Sequence, residues 1–549
     1  MKFLKVQGKQ IVDSGGQEIL LTGWGLGNWL LQEGYMWKAT GERFDRPARI
    51  EKCVEELTGK EYADRFWKKY RENYVRREDI FAMKQLGYNS VRIPFSYRHF
   101  MEDGPGIVWK EEGFRLLDRC LLWCEEAGIY AFLDLHGAPG GQTGSNIDDS
   151  VDNVPRLFLD RDCWEKGLAL WEKLAQRYHD RAVVGGYDLL NEPVIPPTAG
   201  NGDFDWLIPK LELFYEEAIE RIRRVDQVHI VTLEGPHWAT DVRIFHKKYD
   251  DNMVLHFHRY AEPPDTECLA RYVEAADRLN VPLWMGETGE NKNTWYAALY
   301  PLAESMGIGY NIWPWKKMDC TNSPCSIRRP EGYEEILRYL DRGPHPGFAR
   351  AQKILDEYLE NVLYENCEHH PEITNHVFRK PPFTVCGVDF DEYPGEGISY
   401  HAQKAAAKAS DAGAETRERS ESGALYRKGA GMEICELYPK KEQEFAFDCG
   451  WDRLALVLKK GEFACYRFHY EKSMTGKLCL TISLEAEEDA VLLAGLRDGE
   501  KQRILVESGM REVTVPLAVA GFETGEAAVR LETEAGKIII KELQFKIAS

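Results

Sequence analysis

No stretch of the 549-residue chain approaches the roughly 18 consecutive apolar residues that a membrane-spanning helix needs. Met1 to Lys9 lack the apolar core of a secretory leader and run directly into an alternating strand pattern. Basic charge is in short supply: 70 Lys and Arg stand against 90 Asp and Glu, a net charge of −20, so no nucleic-acid surface is expected. The 13 cysteines are odd in number and scattered, several in apolar runs such as Cys120 and Cys124, which is the pattern of reduced core thiols and not of a disulfide framework. These shortages together predict a cytoplasmic protein with no membrane and no nucleic-acid partner.

Phosphate-cradle signals are missing as well. The segment Leu135 to Gln142 is glycine-rich and follows an apolar run, but it has neither GxGxxG spacing nor a Lys-Ser/Thr ending. Aromatic residues are plentiful, at 12% with 15 Trp. A flat ring face suits a sugar as well as a core.

The length exceeds one ordinary domain and fits a barrel of about 250 or more residues with a smaller module. Residues 3–13 alternate around Gly8 like a hairpin. Eight apolar runs follow, at 19–23, 90–94, 129–135, 183–190, 228–233, 252–257, 281–286 and 308–313. Helical patterns separate them at 47–85, 112–127, 161–178, 206–224, 266–279 and 293–306, and a last one covers 347–363. Alternation of this kind demands a parallel sheet, and eight strands allow closure, so an α/β fold with a (β/α)8 TIM barrel is predicted over 1–370. Residues 371–397, rich in Pro, Gly and charge, are expected to be a linker. A β-sandwich is predicted over 398–549, from a mobile insertion at 402–423 and short period-two runs at 431–438, 444–448, 453–459, 463–470, 477–484, 489–495, 502–507, 511–517, 527–533 and 537–546.

Two of the barrel runs end in a glutamate: Tyr187 to Pro193 carries Asn191 and Glu192, and Val281 to Glu287 carries Glu287. Strand C-termini are where barrels keep their chemistry, and paired carboxylates there hydrolyse glycosides. Glu290 is a second candidate for the nucleophile but falls past the strand end. Arg92 and Tyr260 are donors that could keep Glu287 ionised, and Arg92 could instead satisfy a buried carboxylate such as Asp134. His256 and His258 share one strand face, so a metal-dependent hydrolase is the rival chemistry, although no further ligand set is evident at other strand ends. Trp313 and Trp315 flank Pro314, and one of them could floor a sugar site.

Arg92, His136, Asn191, Glu192, His258, Tyr260, Glu287 and Trp313, taken in this order over eight strands, resemble glycoside hydrolase family 5. The resemblance implies Glu192 as general acid/base and Glu287 as nucleophile, Asn191 on the sugar 2-hydroxyl, and His258 on substrate or carboxylates with His256 in the core. Leu26 to Trp29 with Glu33 and the loop after His136 resemble the exo-β-1,3-glucanase and β-glucosidase branch, in which the residue matching Glu33 holds the terminal sugar's outer hydroxyls. Thr143 to Asp149 depart from the fungal members of that branch. The loops after the first and third strands are long, and Asp148 and Asp149 could add acceptors to a closed pocket.

The implied activity is a retaining β-glycosidase acting on β-glucosides or short β-glucans from the non-reducing end, with a carbohydrate substrate and no metal or organic cofactor. An endo-acting β-glucanase or β-mannanase is the alternative, and a carbohydrate-binding protein on an inactive barrel is the non-enzyme reading. The C-terminal part resembles a jelly-roll carbohydrate-binding module in strand count and position. A structural domain that packs on the barrel or on a second subunit of a homo-oligomer is equally consistent with it.

Overall fold

The computed structural model describes residues 1–199, 202–403, 426–437, 443–519 and 524–548. They form two compact units. The first takes Met1–Arg259, Arg271–Gly289 and Ile308–His370; the second takes Tyr260–Ala270, Glu290–Gly307 and Pro371–Ser549.

The first unit opens with an antiparallel hairpin, β1 (Leu4–Gln7) and β2 (Gln10–Asp13), turning at Gly8, whose φ of 59° suits glycine. Eight strands then close into a parallel barrel: β3 (Thr22–Gly25), β4 (Ser90–Ser96), β5 (Tyr130–Gly137), β6 (Val184–Asp188), β7 (Ile230–Glu234), β8 (Met253–Arg259), β9 (Leu283–Gly289) and β10 (Gly309–Trp313). Each pairs with its predecessor, and β10 returns to β3. Burial on both faces explains why these strands read as continuous apolar runs rather than alternating ones.

The helices outside the strands are one-sided. In Arg161–Tyr178 the buried Trp164, Leu168, Trp171, Ala175 and Tyr178 recur every three or four residues, and Asp160 caps the N-terminus by accepting from the Asp162 N–H. Leu4 and Ile11 of the hairpin join Leu21, Phe132, Ile230, Val254 and Trp284 in one buried cluster at the strand beginnings. Gly185 and Gly186 leave room for the Phe132 ring, since a Cβ at either would meet it within 2.9 Å. The apolar core therefore fills the N-terminal end of the barrel, and the polar side chains gather at the other. A small sheet of β11 (Lys316–Met318), β12 (Cys325–Ile327) and β13 (Glu368–His369) completes this unit.

In the second unit β14 (Phe383–Cys386) joins a sheet in the order β16 (Glu433–Glu436), β17 (Leu454–Lys459), β24 (Lys537–Ile547), β19 (Leu478–Glu485), β22 (Glu512–Pro516), pairing with β24. The facing sheet runs β15 (Tyr400–His401), β18 (Phe463–Glu471), β23 (Thr524–Ala535), β20 (Ala490–Leu496), β21 (Lys501–Val506). Phe468 of one sheet and Phe545 of the other stand 5.0 Å apart between ring centres, within the sandwich core.

Three expectations are corrected here. Residues 371–397 are no tether: they hold the helix Pro371–Val377 and β14, and Arg379 binds Asp391 at 2.8 Å and the Asp389 carbonyl at 3.0 Å, all three residues being buried. Their Pro, Gly and charge serve tight turns and internal ion pairs. Residues 444–448 form a turn around Asp448, which accepts from the Glu444 and Gly450 N–H groups, and not a strand. The helix Asn293–Ser305, expected in the barrel's own ring, groups with the second unit. Of the insertion expected at 402–423, residues 404–423 lie outside the described residues. No helix among the described residues is long and apolar enough to cross a membrane.

Candidate active site

Arg92 lies in β4 with its side chain fully buried, and each of its three nitrogens is met by an acid. It donates from Nε to Asp188 at 2.8 Å and from Nη1 to Glu287 at 2.6 Å. Nη2 reaches Asn191 at 2.8 Å, Glu234 at 3.0 Å and Asp134 at 3.1 Å. Four acids from β5, β6, β7 and β9 thus converge on one cation, which the planar fork of arginine allows and the point charge of lysine would not. The barrel register places them: Asp134 is level with Asp188, Glu234 with His256, and His258 with Glu287.

Glu192 and Glu287 face each other across this hub, offering carboxylate oxygens within 4.8 Å of one another. His258 stands between them, its Nδ1 at 2.7 Å from Glu192 and 3.8 Å from Glu287. Burial lifts the Glu192 carboxyl above the usual range; the bond from His258 opposes that, while the charges of Glu287 and Glu234 add to it. Burial also disfavours charge on His258, but Glu234, Glu287 and Glu192 outweigh it and hold the imidazole well above its ordinary value, favouring its charged form. Asp188 goes the other way: despite burial, His256 and Arg92 keep it far below the usual carboxylate range. The Glu192 backbone takes a φ of 44°, and its N–H donates to Glu234 at 2.7 Å. A strained residue tied to the next strand's carboxylate is a pattern that active sites sustain.

His136 and Trp313 form one wall, their rings parallel within 3° at 5.3 Å. His136 is oriented by Asp134 at 2.8 Å from Nδ1 and by Asn191 at 3.2 Å from Nε2. Trp313 donates to the Tyr35 hydroxyl at 3.0 Å, and a Cβ on Gly25 or Gly27 would come within 2.7 Å of its ring. Those two glycines are therefore there to let the indole lie flat. Trp315 is buried and donates to Asp79 at 2.9 Å, so it belongs to the packing and Trp313 to the site. Glu33 is buried at the start of the short turn Gly34–Trp37.

Asp148 and Asp149 do not offer themselves as pocket acceptors. Asp148 accepts from the N–H groups of Gln142, Thr143 and Ser150, each at 2.7 Å, and Asp149 from Ala48 and Arg98. They are struts of the loop after β5. Tyr260 and Glu290 fall in the second unit, where the Tyr260 ring lies 4.8 Å from that of Phe447.

Glu234, Asp188 and Gln142 escaped the sequence reading. Glu234 ends β7, as Glu287 lies near the end of β9 and Glu192 just past β6, with Gly235 and Pro236 behind it, so the signal was present. Gln142 binds the carbonyls of His136 and Asn191, both at 2.8 Å, a tie no local pattern announces. Glu234 also answers the metal question raised by His256 and His258, since one atom of each of the three lies within 4.8 Å of the others. The trio does not suit a resident cation, however. Glu234 is already bonded to Arg92 and to the Glu192 N–H, and the surrounding acids favour the charged form of His258, whereas a ligating imidazole must be neutral.

Residues 50–319 match the family model described as cellulase, glycosyl hydrolase family 5. A β-xylosidase of Phanerodontia chrysosporium is 35% identical over 263 residues, covering 48% of this chain and 52% of that protein. A probable glucan 1,3-beta-glucosidase A of Aspergillus clavatus is 26% identical over 245 residues, covering 44% of this chain and 56% of that protein. The chain thus spans about half the length of the curated relatives it matches. The crystal structure of an endogalactoceramidase aligns over 98% of this chain and 99% of its own, at 15% identity and a TM-score of 0.45. The match covers seven of the eight strands and both glutamates, and this region of the chain is a glycosyl hydrolase family 5 domain.

Proposed function

We propose that the chain is a retaining β-glycosidase that removes single sugars from the non-reducing end of β-glucosides or short β-glucans. The observation that carries it is the separation of the Glu192 and Glu287 oxygens, within 4.8 Å. Retention calls for carboxyl groups about 5 Å apart, while inversion needs roughly 6.5–9.5 Å to admit a water. Glu287, aimed by Arg92, attacks the anomeric carbon. Glu192 gives its proton to the departing oxygen, so that the glycosidic bond breaks as the glycosyl ester forms. Once esterified, Glu287 carries no charge, Glu192 loses that repulsion, and it takes a proton from the water that reopens the ester. Asn191, fixed between Arg92 and His136, is placed to bond the 2-hydroxyl as charge develops on the ring.

The names of the β-xylosidase and glucan 1,3-beta-glucosidase relatives support exo action and add β-xylosides to the substrates to be tried, whereas other relatives are named endoglucanases. Glu33, buried in the loop after β3, is the acidic residue we assign to the terminal sugar's outer hydroxyls. The test is turnover of aryl β-glucosides and β-xylosides by the wild-type and Glu287→Gln proteins. Loss of at least about a thousandfold supports the nucleophile, as removal of covalent catalysis requires, and near-normal turnover would refute it.

For the second unit the reading favoured is structural rather than sugar-binding. Its sheet aromatics Phe463, Tyr466, Phe468, Tyr470 and Phe545 are buried and Tyr400 is half-buried, which leaves no ring platform on the described sheets. Retention of the chain on an insoluble β-glucan would overturn that. All 13 cysteines are free thiols, which supports the cytoplasmic location, and recovery in a secreted fraction would contradict it.

A further inference from the structure

Two large rings stand in solvent on the connections that follow β6 and β7. Trp206 is 61% exposed and Trp238 is 40% exposed, in a chain whose other tryptophans are mostly buried. Trp206 sits in the turn Asp205–Leu207 that leads into the helix Ile208–Arg223, and so belongs to the connection that begins with Glu192. Trp238 follows β7, the neighbouring strand. The two connections are fastened together. The His237 N–H donates to the Val194 carbonyl at 2.8 Å, and the His237 imidazole meets Asp205 at 2.6 Å. Each tryptophan is therefore the next residue after one member of the His237–Asp205 pair.

The backbone around Trp238 is unusual. His237, Trp238 and Ala239 have φ values of 59°, 58° and 55°, three successive left-handed residues without a glycine. Such a run persists only where its surroundings over-determine it, and it concentrates at ligand clamps and active sites. Here it follows Gly235, where a Cβ would sit 1.8 Å from the Asp241 carbonyl, and it holds an indole outward instead of burying it.

We propose that Trp206 and Trp238 form an aromatic platform for the leaving group, and that the leaving group it fits has a flat, apolar face. The proposal rests on the glycosidase reading above. Glu192 protonates the oxygen of the departing group, so that group leaves past the connections flanking Glu192, where both indoles are displayed. The polar groups beside them are occupied with one another: Arg243 bonds Asp205 at 3.0 Å and Asp241 at 2.7 Å, and His237 takes Asp205 and lies 3.5 Å from Asp241. A second sugar asks for hydrogen-bond partners as well as a ring face, while an aryl or fused-ring aglycone asks for the face alone.

The test compares kcat/KM of the full chain toward a naphthyl β-glycoside and toward the matching glycosyl fluoride, whose leaving group is one atom. Trp206→Ala lies at an exposed position, and Trp238→Gly suits the left-handed backbone, so neither variant threatens the fold. The naphthyl-to-fluoride ratio is expected to fall about tenfold in each variant, the size of one lost aromatic contact, and to recover in Trp206→Phe. A ratio unchanged in both variants would overturn the platform. So would a ratio that falls for a β-linked disaccharide but not for the naphthyl substrate, which would make the rings a second sugar site. A wild-type chain inert toward the fluoride and the naphthyl glycoside alike would instead remove the glycosidase reading, and the platform with it.

Discussion

Replacing Arg92 by methionine keeps an unbranched stem while shortening it and removes its charge, leaving Asp134, Asp188, Glu234 and Glu287 buried around an apolar thioether. Each of the four lies 2.6–3.1 Å from the guanidinium in the wild-type protein, and the Arg92 side chain has no solvent exposure. Breaking a buried ion pair by deleting one partner costs about 3–5 kcal/mol, because the stranded charge stays desolvated. At the 2–4 °C per kcal/mol usual for larger domains, the thermal transition of the barrel should fall by roughly 6–20 °C at neutral pH.

The pH dependence of that deficit gives a sharper check. In the wild-type protein Asp188 is held low despite burial by His256 and Arg92, so its stabilising contribution is present above the unfolded value of about 3.9 and fades as pH falls below it. Without Arg92 that contribution shrinks. Asp134, already raised by burial, is raised further, which stabilises the folded state below about pH 4 and is lost as pH rises. Both changes point the same way: the variant's deficit should be smallest near pH 4 and should grow toward pH 7. Calorimetry of the two proteins across that range reads it directly. An Arg92→Met protein as stable as wild type at pH 7, or a deficit that shrinks with rising pH, would refute the account of Arg92 as the charge that holds the hub together.

Three further outcomes follow from the geometry. Gly25→Ala drives a methyl into the Trp313 ring, 2.6 Å from Cε3, and the His136 face stands behind that ring, so a stability loss of about 1–3 kcal/mol is expected by denaturant unfolding, with a raised KM. Glu33→Ala should lose most of its kcat/KM on short β-glucans while staying folded, and wild type should release monosaccharide first; early mixed oligosaccharides would favour the endo-acting alternative. EDTA should leave the rate unchanged, and loss restored by one divalent ion would reinstate Glu234, His256 and His258 as a metal site.

The barrel was legible in the chain because a parallel strand covered on both faces must be apolar along its length, and a surface helix must repeat every three or four residues. Those requirements are local, and they located all eight strands and the glutamates at two of their ends. The same logic failed at 371–397, where Pro, Gly and charge were read as a tether. Whether Arg379 and Asp391 lie in solvent or bind each other inside a core depends on what packs over them, which composition does not record. It failed likewise for Asp148 and Asp149, acidic residues in a long loop whose side chains turn inward, one to the loop's own backbone and the other to Ala48 and Arg98. The sequence by itself determined which residue types stand at the strand ends, and from that the class of chemistry. Only the tertiary structure decided that Arg92 meets four acids at once, that Glu234 is one of them, that acids surround His258 and favour its charged form, and that Glu192 and Glu287 stand within the spacing that retention calls for. Those properties depend on distances across a closed barrel between residues as far as 195 positions apart, and closure is set by every strand together.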